Sequence, residues 1–172
     1  MPSKIDDYFM KMALREAEKA SSDGEVPTGC VIIEAPTSCD QNPSTIKILG
    51  RSHNRTEALR DATAHAEMLA LSAASEARRN WRLVDTWLYV TKEPCPMCAG
   101  AIVLARVSRV VWALSDPKRG GQSVFKIFEH PGINHHPQFE SGIAESESKE
   151  VLQSFFRTRR AHSAGRNEES DE

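Results

Sequence analysis

No stretch of the 172-residue sequence approaches the roughly 18 consecutive apolar residues of a membrane span, which argues against a helix crossing a bilayer. No apolar signal-type region follows Met1, and the acidic opening Met1-Pro2-Ser3-Lys4-Ile5-Asp6-Asp7 is unlike a transit peptide. A cytoplasmic protein with no membrane partner is therefore expected. Cysteine is sparse. Cys30, Cys39, Cys95 and Cys98 are too few to staple a chain that is long enough to bury a core without disulfides. In a reducing compartment a Cys-x-x-Cys pair points instead to metal or redox chemistry. Neither sign of charge dominates: 22 basic and 24 acidic residues leave a net charge of −2, which argues against a nucleic-acid footprint spread over the whole surface. The sum hides a local patch, however. Arg157, Arg159, Arg160 and Arg166 lie close together with no acid among them, and Glu168, Glu169, Asp171 and Glu172 then cancel them. There is no internal repeat, and low complexity is confined to the C-terminal end. A single domain over residues 1–160 is expected, followed by a disordered acidic tail over 161–172.

Ile5, Tyr8, Phe9, Met12, Leu14, Ala17 and Ala20 recur at helical spacing, predicting a helix over about residues 4–22 that Gly24 ends. Residues 29–33 and 46–50 read as strands joined by a long polar loop, Ala35 to Thr45. A second helix is expected over 64–79, with Thr63 or Asp61 as N-cap. A buried-type strand follows at 87–91. A third helix starts at Cys95-Pro96, where proline suits the first helical position, and runs to about Arg106. Residues 107–114 form another strand, and a last helix spans roughly 149–160. This alternation predicts an α/β fold, with helices packed on a sheet.

His65-Ala66-Glu67, followed by Cys95-Pro96-Met97-Cys98, carries the chemistry. One imidazole and two thiolates make a three-ligand zinc site, whose fourth position stays open for water, whereas a structural site is normally closed by four protein ligands. One zinc per chain is expected. Both cysteines sit at the start of a helix, so their sulfurs share a face, and the positive end of the helix favours thiolate. Glu67 is not needed as a ligand and is free to move protons. Two other readings stay open at this point. Cys95 and Cys98 fit a thioredoxin-like redox pair, which leaves His65 and Glu67 unexplained. A structural zinc closed by His53 or His130 is the second, though neither has a tight ligand spacing. Cys30 reads as a small core residue, and no role is assigned to Cys39. Phe155-Phe156 fits either an anchor for the last helix or a surface for stacking bases.

The order of these motifs resembles the bacterial-type tRNA-specific adenosine deaminases, within the cytidine-deaminase-like superfamily. The resemblance covers about residues 5–160. It rests on Glu25-Val26-Pro27-Thr28-Gly29, His53-Asn54-Arg55, the two metal motifs, Ser115-Asp116, His130-Pro131-Gly132-Ile133-Asn134-His135 and Phe155-Phe156-Arg157-Thr158-Arg159-Arg160. It implies a three-layer α/β/α fold, with a central mixed sheet flanked by helices. It also implies zinc-dependent hydrolysis of adenosine to inosine at the wobble position of tRNA anticodons, by a homodimer. His65, Cys95 and Cys98 would then hold zinc, and Glu67 would be catalytic. Asn54 would contact the flipped nucleoside, Asp116 would lie in the adjacent groove, and Phe156, Arg157, Arg159 and Arg160 would meet the anticodon loop. Val26 and Leu114 are expected as apolar walls of the pocket. The chain departs from that family in its long 35–45 loop, in Arg119-Gly120-Gly121, and in its acidic tail. A deaminase of small bases such as guanine or cytosine would share the same zinc site. A non-catalytic zinc protein that binds RNA would have no use for Glu67.

Overall fold

A computed structural model describes the backbone of residues 3–168 and the side chains of residues 3–161. In chain order the elements are α1 (Lys4–Ser22), β1 (Gly29–Glu34), β2 (Ile48–His53), α2 (Thr56–Leu59), α3 (Ala66–Arg78), β3 (Thr86–Lys92), α4 (Pro96–Ala105), β4 (Arg109–Leu114), β5 (Gln138–Ser141) and α5 (Glu145–Glu168). The strands make one mixed sheet in the order β2-β1-β3-β4-β5. β1 runs antiparallel to β2 and β3, while β3, β4 and β5 are mutually parallel.

Alternation along the central strands divides the core in two. Cys30, Ile32, Leu88, Val90, Val110 and Trp112 face α3 and α4, meeting Ala70, Ala74, Ile102 and Val103. Val31, Ile33, Tyr89, Val111 and Ala113 face the opposite side, where α1 supplies Ile5, Phe9, Met10 and Ala13. α5 packs beside α1 on that second side and touches β3 and β4. The three-layer α/β/α arrangement follows, with a core on each face of the sheet. α1 lies so close to β1 that a Cβ on Gly29 would sit 2.0 Å from the Ala13 carbonyl oxygen.

Several boundaries differ from expectation. β2 covers 48–53 instead of 46–50, its residues 51–53 pairing with Gly29–Val31 and a bulge lying between Ile32 and Ile33. The second helix starts at Ala66, and its N-cap is His65, not Thr63 or Asp61. Asp61 instead closes a turn, its Oδ1 accepting from the Thr63 amide and hydroxyl, both at 2.7 Å. β5 lies outside the expected elements: all four residues are exposed, so no alternation marks it, and its side chains reach the core through Phe139, which meets the rings of Trp112 and Phe128, and through Glu140, which accepts from Arg109. α2 is a single turn and was also missed. α5 is longer than 149–160 at both ends and continues to Glu168, into the segment expected to be disordered. That stretch has no proline and contains Ala161, Ala164 and Arg166, all good helix formers. The rest of the acidic tail, residues 169–172, lies outside the described residues.

Candidate active site

Two helix N-termini meet where the motifs converge. His65 is the N-cap of α3, and Cys95 is the N-cap of α4 with Pro96 directly after it. Each N-cap has extended backbone and accepts the first helical hydrogen bond, from Leu69 N to His65 O at 3.1 Å and from Ala99 N to Cys95 O at 2.8 Å. Neither side chain caps its own helix, so both remain available for a ligand. The three donor atoms form a near-equilateral triangle. His65 Nδ1 lies 3.6 Å from Cys95 Sγ and 3.5 Å from Cys98 Sγ, and the two sulfurs are 3.6 Å apart. Tetrahedral zinc bonds of about 2.3 Å to sulfur and about 2.0 Å to nitrogen require edges of about that length. The donor set therefore fits zinc.

Among the described residues no fourth His, Cys, Asp or Glu joins this group. His53, one alternative for a closing ligand, is held between Glu16 at 3.1 Å and Asp23 at 3.4 Å. His130, the other, accepts from the Gly132 amide at 3.0 Å. Two corners of the triangle, His65 and Cys95, line a cleft of about 360 Å³. Glu67, in the first turn of α3, lines that cleft and is only 3% exposed. Its burial opposes ionisation and pushes its carboxyl up to about 7. The hydrogen bond from Cys98, joined by the bond to His65, pulls Cys95 down to about 4. The bond to Cys95 and burial push Cys98 upward. The contact between the two sulfurs thus favours thiolate at Cys95, and zinc binding requires the thiolate form of both.

The remaining cleft walls come from five segments. Val26 and Thr28 follow α1, Asn54 and Thr56 follow β2, Lys92 ends β3 and Glu93 comes directly after it, and Asp116 and Arg119 follow β4, while Leu152 and Phe156 close the cleft from α5. Asn54 is oriented by its Nδ2, which donates to Thr56 Oγ1 at 2.8 Å and to Glu25 Oε2 at 3.4 Å. Glu25 is itself buried, and its Oε1 accepts from the Ala58 amide at 2.8 Å. Burial disfavours its charge, but these bonds outweigh that and hold its carboxyl below the usual range.

Of the expected substrate-facing residues, Asn54, Asp116 and Phe156 do line the cleft, as does Val26. Leu114 does not. It sits in sheet register with Lys92, and Leu152 supplies the apolar wall. The two phenylalanines separate. Phe155 is buried at 9% exposure and anchors α5, while Phe156, at 39%, reaches the cleft. The three arginines separate as well. Arg157 and Arg160 line a neighbouring groove of about 320 Å³ that shares Leu152 and Phe156 with the cleft. Arg159 points elsewhere, 3.8 Å from Glu57 and over the ring of Phe155. Lys92, Thr56 and Leu152 line the cleft without any sequence expectation for them, and Glu93 and Arg119, which lie in noted motifs, have no role assigned from the sequence. Lys92 and Glu93 directly precede Pro94-Cys95, which was the available signal for those two.

The family model for the cytidine and deoxycytidylate deaminase zinc-binding region matches residues 3–114. The chain belongs to that family. A tRNA-specific adenosine deaminase of Streptococcus pyogenes is 41% identical over 160 residues, covering 91% of this chain and 94% of that one. The tRNA-specific adenosine deaminase of Bacillus subtilis is 41% identical over 153 residues, covering 88% and 89%. A solved structure from a study of A-to-I editing by tRNA:A34 deaminases at the wobble position superposes with a TM-score of 0.76 at 42% identity. That match covers 84% of this deaminase and 99% of the solved chain.

Proposed function

We propose that this deaminase converts adenosine to inosine at the wobble position of tRNA anticodons, acting in the cytoplasm through one domain over residues 1–160. The observation that carries the reading is the single cleft that holds the donor triangle, Glu67 and the α5 surface together, in a chain 41% identical to tRNA-specific adenosine deaminases along nearly its whole length. His65, Cys95 and Cys98 hold the zinc. When bound, zinc supplies a Lewis acid that lowers the pKa of water from 15.7 to roughly 7.

The chain's own residues do the rest. Glu67 takes one proton from water and passes it to the purine ring nitrogen N1 as the C6–O bond forms. It then takes the second proton from the new C6 hydroxyl and gives it to the exocyclic amine, so that the C6–N bond breaks, ammonia leaves and the C6 carbonyl remains. Asn54, its amide tethered to Glu25 and Thr56, orients the nucleoside. Val26, Leu152 and Phe156 supply an apolar lining into which a splayed loop base fits. The decisive experiment is to incubate the purified zinc protein with an anticodon stem-loop carrying wobble adenosine. Inosine should form there, while free adenosine and free guanine stay intact, since only the surrounding loop supplies the binding energy that draws the base in. Rapid turnover of a free base would move the chain to the small-base deaminases.

The groove beside the cleft supports RNA contact by α5. Replacing Arg157, Arg159 and Arg160 together with alanine should weaken stem-loop binding and flatten its salt dependence. Each lost phosphate contact reduces the log–log slope by about 0.7–0.9. Arg157 and Arg160 should account for most of this, because Arg159 is directed at Glu57 and Phe155. Unchanged affinity and slope would place the RNA surface elsewhere.

A homodimer is the expected assembly, with α4 at its interface. Cys98, Ala99, Ile102 and Val103 face the core, and the outward side of α4 is also apolar. Leu104 is 72% exposed, and a Cβ on Gly100 would meet nothing within 4 Å. Light scattering at micromolar concentration should give twice the chain mass, reduced by Leu104→Asp. A wild-type monomer would overturn this assembly.

A further inference from the structure

We propose that Glu93 is a positioning residue, whose buried carboxylate clasps segment 115–123 against the end of β3 and thereby sets the RNA-facing wall of the cleft. This rests on the reading above of the cleft as a tRNA site. Glu93 is 3% exposed and lies two residues before Cys95. Its Oε2 accepts from the Asp116 amide at 2.7 Å and the Ser123 hydroxyl at 2.6 Å. Its Oε1 accepts from the amides of Gln122 at 3.1 Å and Ser123 at 2.6 Å. All four donors thus come from one segment. Within it, Asp116 and Arg119 line the cleft alongside Glu93 itself.

Local turn formation does not need this carboxylate. Asp116 closes the turn alone, its Oδ1 accepting from the amides of Lys118 and Arg119, both at 3.0 Å. Its other oxygen pairs with Lys92 at the cleft. The bonds to Glu93 act at a different level: they decide where the preformed turn sits relative to the metal ligands. Steric fit agrees. A Cβ on Gly120 would lie 2.3 Å from the Glu93 carboxylate, so the segment closes over it only with glycine there. Gly121 adds a bond from its amide to the Pro94 carbonyl at 2.8 Å, on the same stretch that leads into Cys95. Glu93 consequently ties the segment bearing Asp116 and Arg119 to the chain that carries the zinc ligands.

The test uses the zinc-loaded protein with Glu93→Gln, Gly120→Ala and Ser123→Ala. The first removes an acceptor and places an amide group against backbone donors. The second pushes the segment away from the other side, and the third deletes one hydroxyl while leaving β3 intact. Hydrogen exchange at the amides of Gln122 and Ser123 should accelerate about tenfold or more in the first two variants, with β3 amides unaffected. On the stem-loop, KM should rise about fivefold or more with a smaller fall in kcat, and Ser123→Ala should move KM the same way by about twofold. A Glu93→Gln protein that does not fold leaves the decision to the other two. Wild-type exchange rates at those amides would overturn the clasp, as would a loss confined to kcat. If wild type itself leaves the stem-loop untouched, the functional reading fails, while the amide exchange still decides the clasp.

Discussion

Replacing Glu67 with alanine is expected to leave zinc at close to one per chain and to lower stem-loop turnover by about 10²–10⁴-fold, the range that a positioned general acid–base supplies. Geometry separates the two readouts. The metal-holding group consists of His65, Cys95 and Cys98, with three mutual distances of 3.5–3.6 Å, and Glu67 is outside it. Glu67 nonetheless faces the same cleft and is almost sealed from bulk water. Substrate affinity should be retained, because Asn54, Phe156 and the α5 groove are untouched. Glu67→Gln, which keeps the shape but cannot carry the proton, should be as inactive as the alanine variant. Metal analysis checks the first half and inosine formation the second. Zinc loss in both variants would show that Glu67 is a ligand and remove its role as proton carrier.

How much of this was legible beforehand depended on how local each signal is. The zinc triangle was readable because its parts are short motifs: Cys95 and Cys98 lie on one helical turn, and proline marks where that turn begins. The motif marks His65 as a candidate ligand, which the structure places beside Cys95 and Cys98, but nothing local marks it as the N-cap of α3, since histidine makes no capping bond there and Thr63 or Asp61 is better suited by residue type. The strands buried on both faces, β1, β3 and β4, announced themselves by β-branched and apolar runs. β5 was silent because an exposed edge strand leaves no alternation to read. The far walls of the cleft were the least legible. Leu152 and Glu93 are separated by about sixty positions in the chain and meet only through the packing of α5 on the sheet, which no local pattern encodes. Phe155 and Phe156 show the limit most plainly. Adjacent and chemically identical, they point to opposite environments on α5, and only the helix rotation decides which one anchors and which one lines the site.

The second large effect is on stability, at a residue whose role the sequence hid entirely. Asp6→Ala should destabilise the fold by about 3–5 kcal/mol, the usual consequence of stranding one partner of a buried ion pair. For a chain of this size that corresponds to a fall in Tm of roughly 6–20 °C. Asp6 is 3% exposed, and it ties α1 directly to β3 and β4 and, through Arg109, to β5. Its Oδ1 accepts from Arg109 Nη1 at 2.6 Å and from the Tyr89 hydroxyl at 2.8 Å, while its Oδ2 accepts from Arg109 Nη2 at 3.2 Å and from Ser3 Oγ at 2.7 Å. Arg109 also reaches Glu140 on β5 at 2.5 Å and stacks over Trp87 on β3, 4.5 Å from the ring centre. The Asp6 amide completes a capping box with Ser3. Burial disfavours the charge of Asp6, but the bonds from Arg109, Ser3 and Tyr89 outweigh it and hold its carboxyl below the ordinary range. A carboxylate with a depressed folded pKa contributes stability that is present in full above its unfolded value of about 3.9 and is lost as pH falls through the lower folded value. The stability gap between wild type and Asp6→Ala should therefore be constant near neutrality and narrow only below about pH 4. Urea unfolding of both proteins across that range measures the gap directly. If the two curves stay parallel down to acid unfolding, the charge on Asp6 contributes nothing and the loss comes from packing alone.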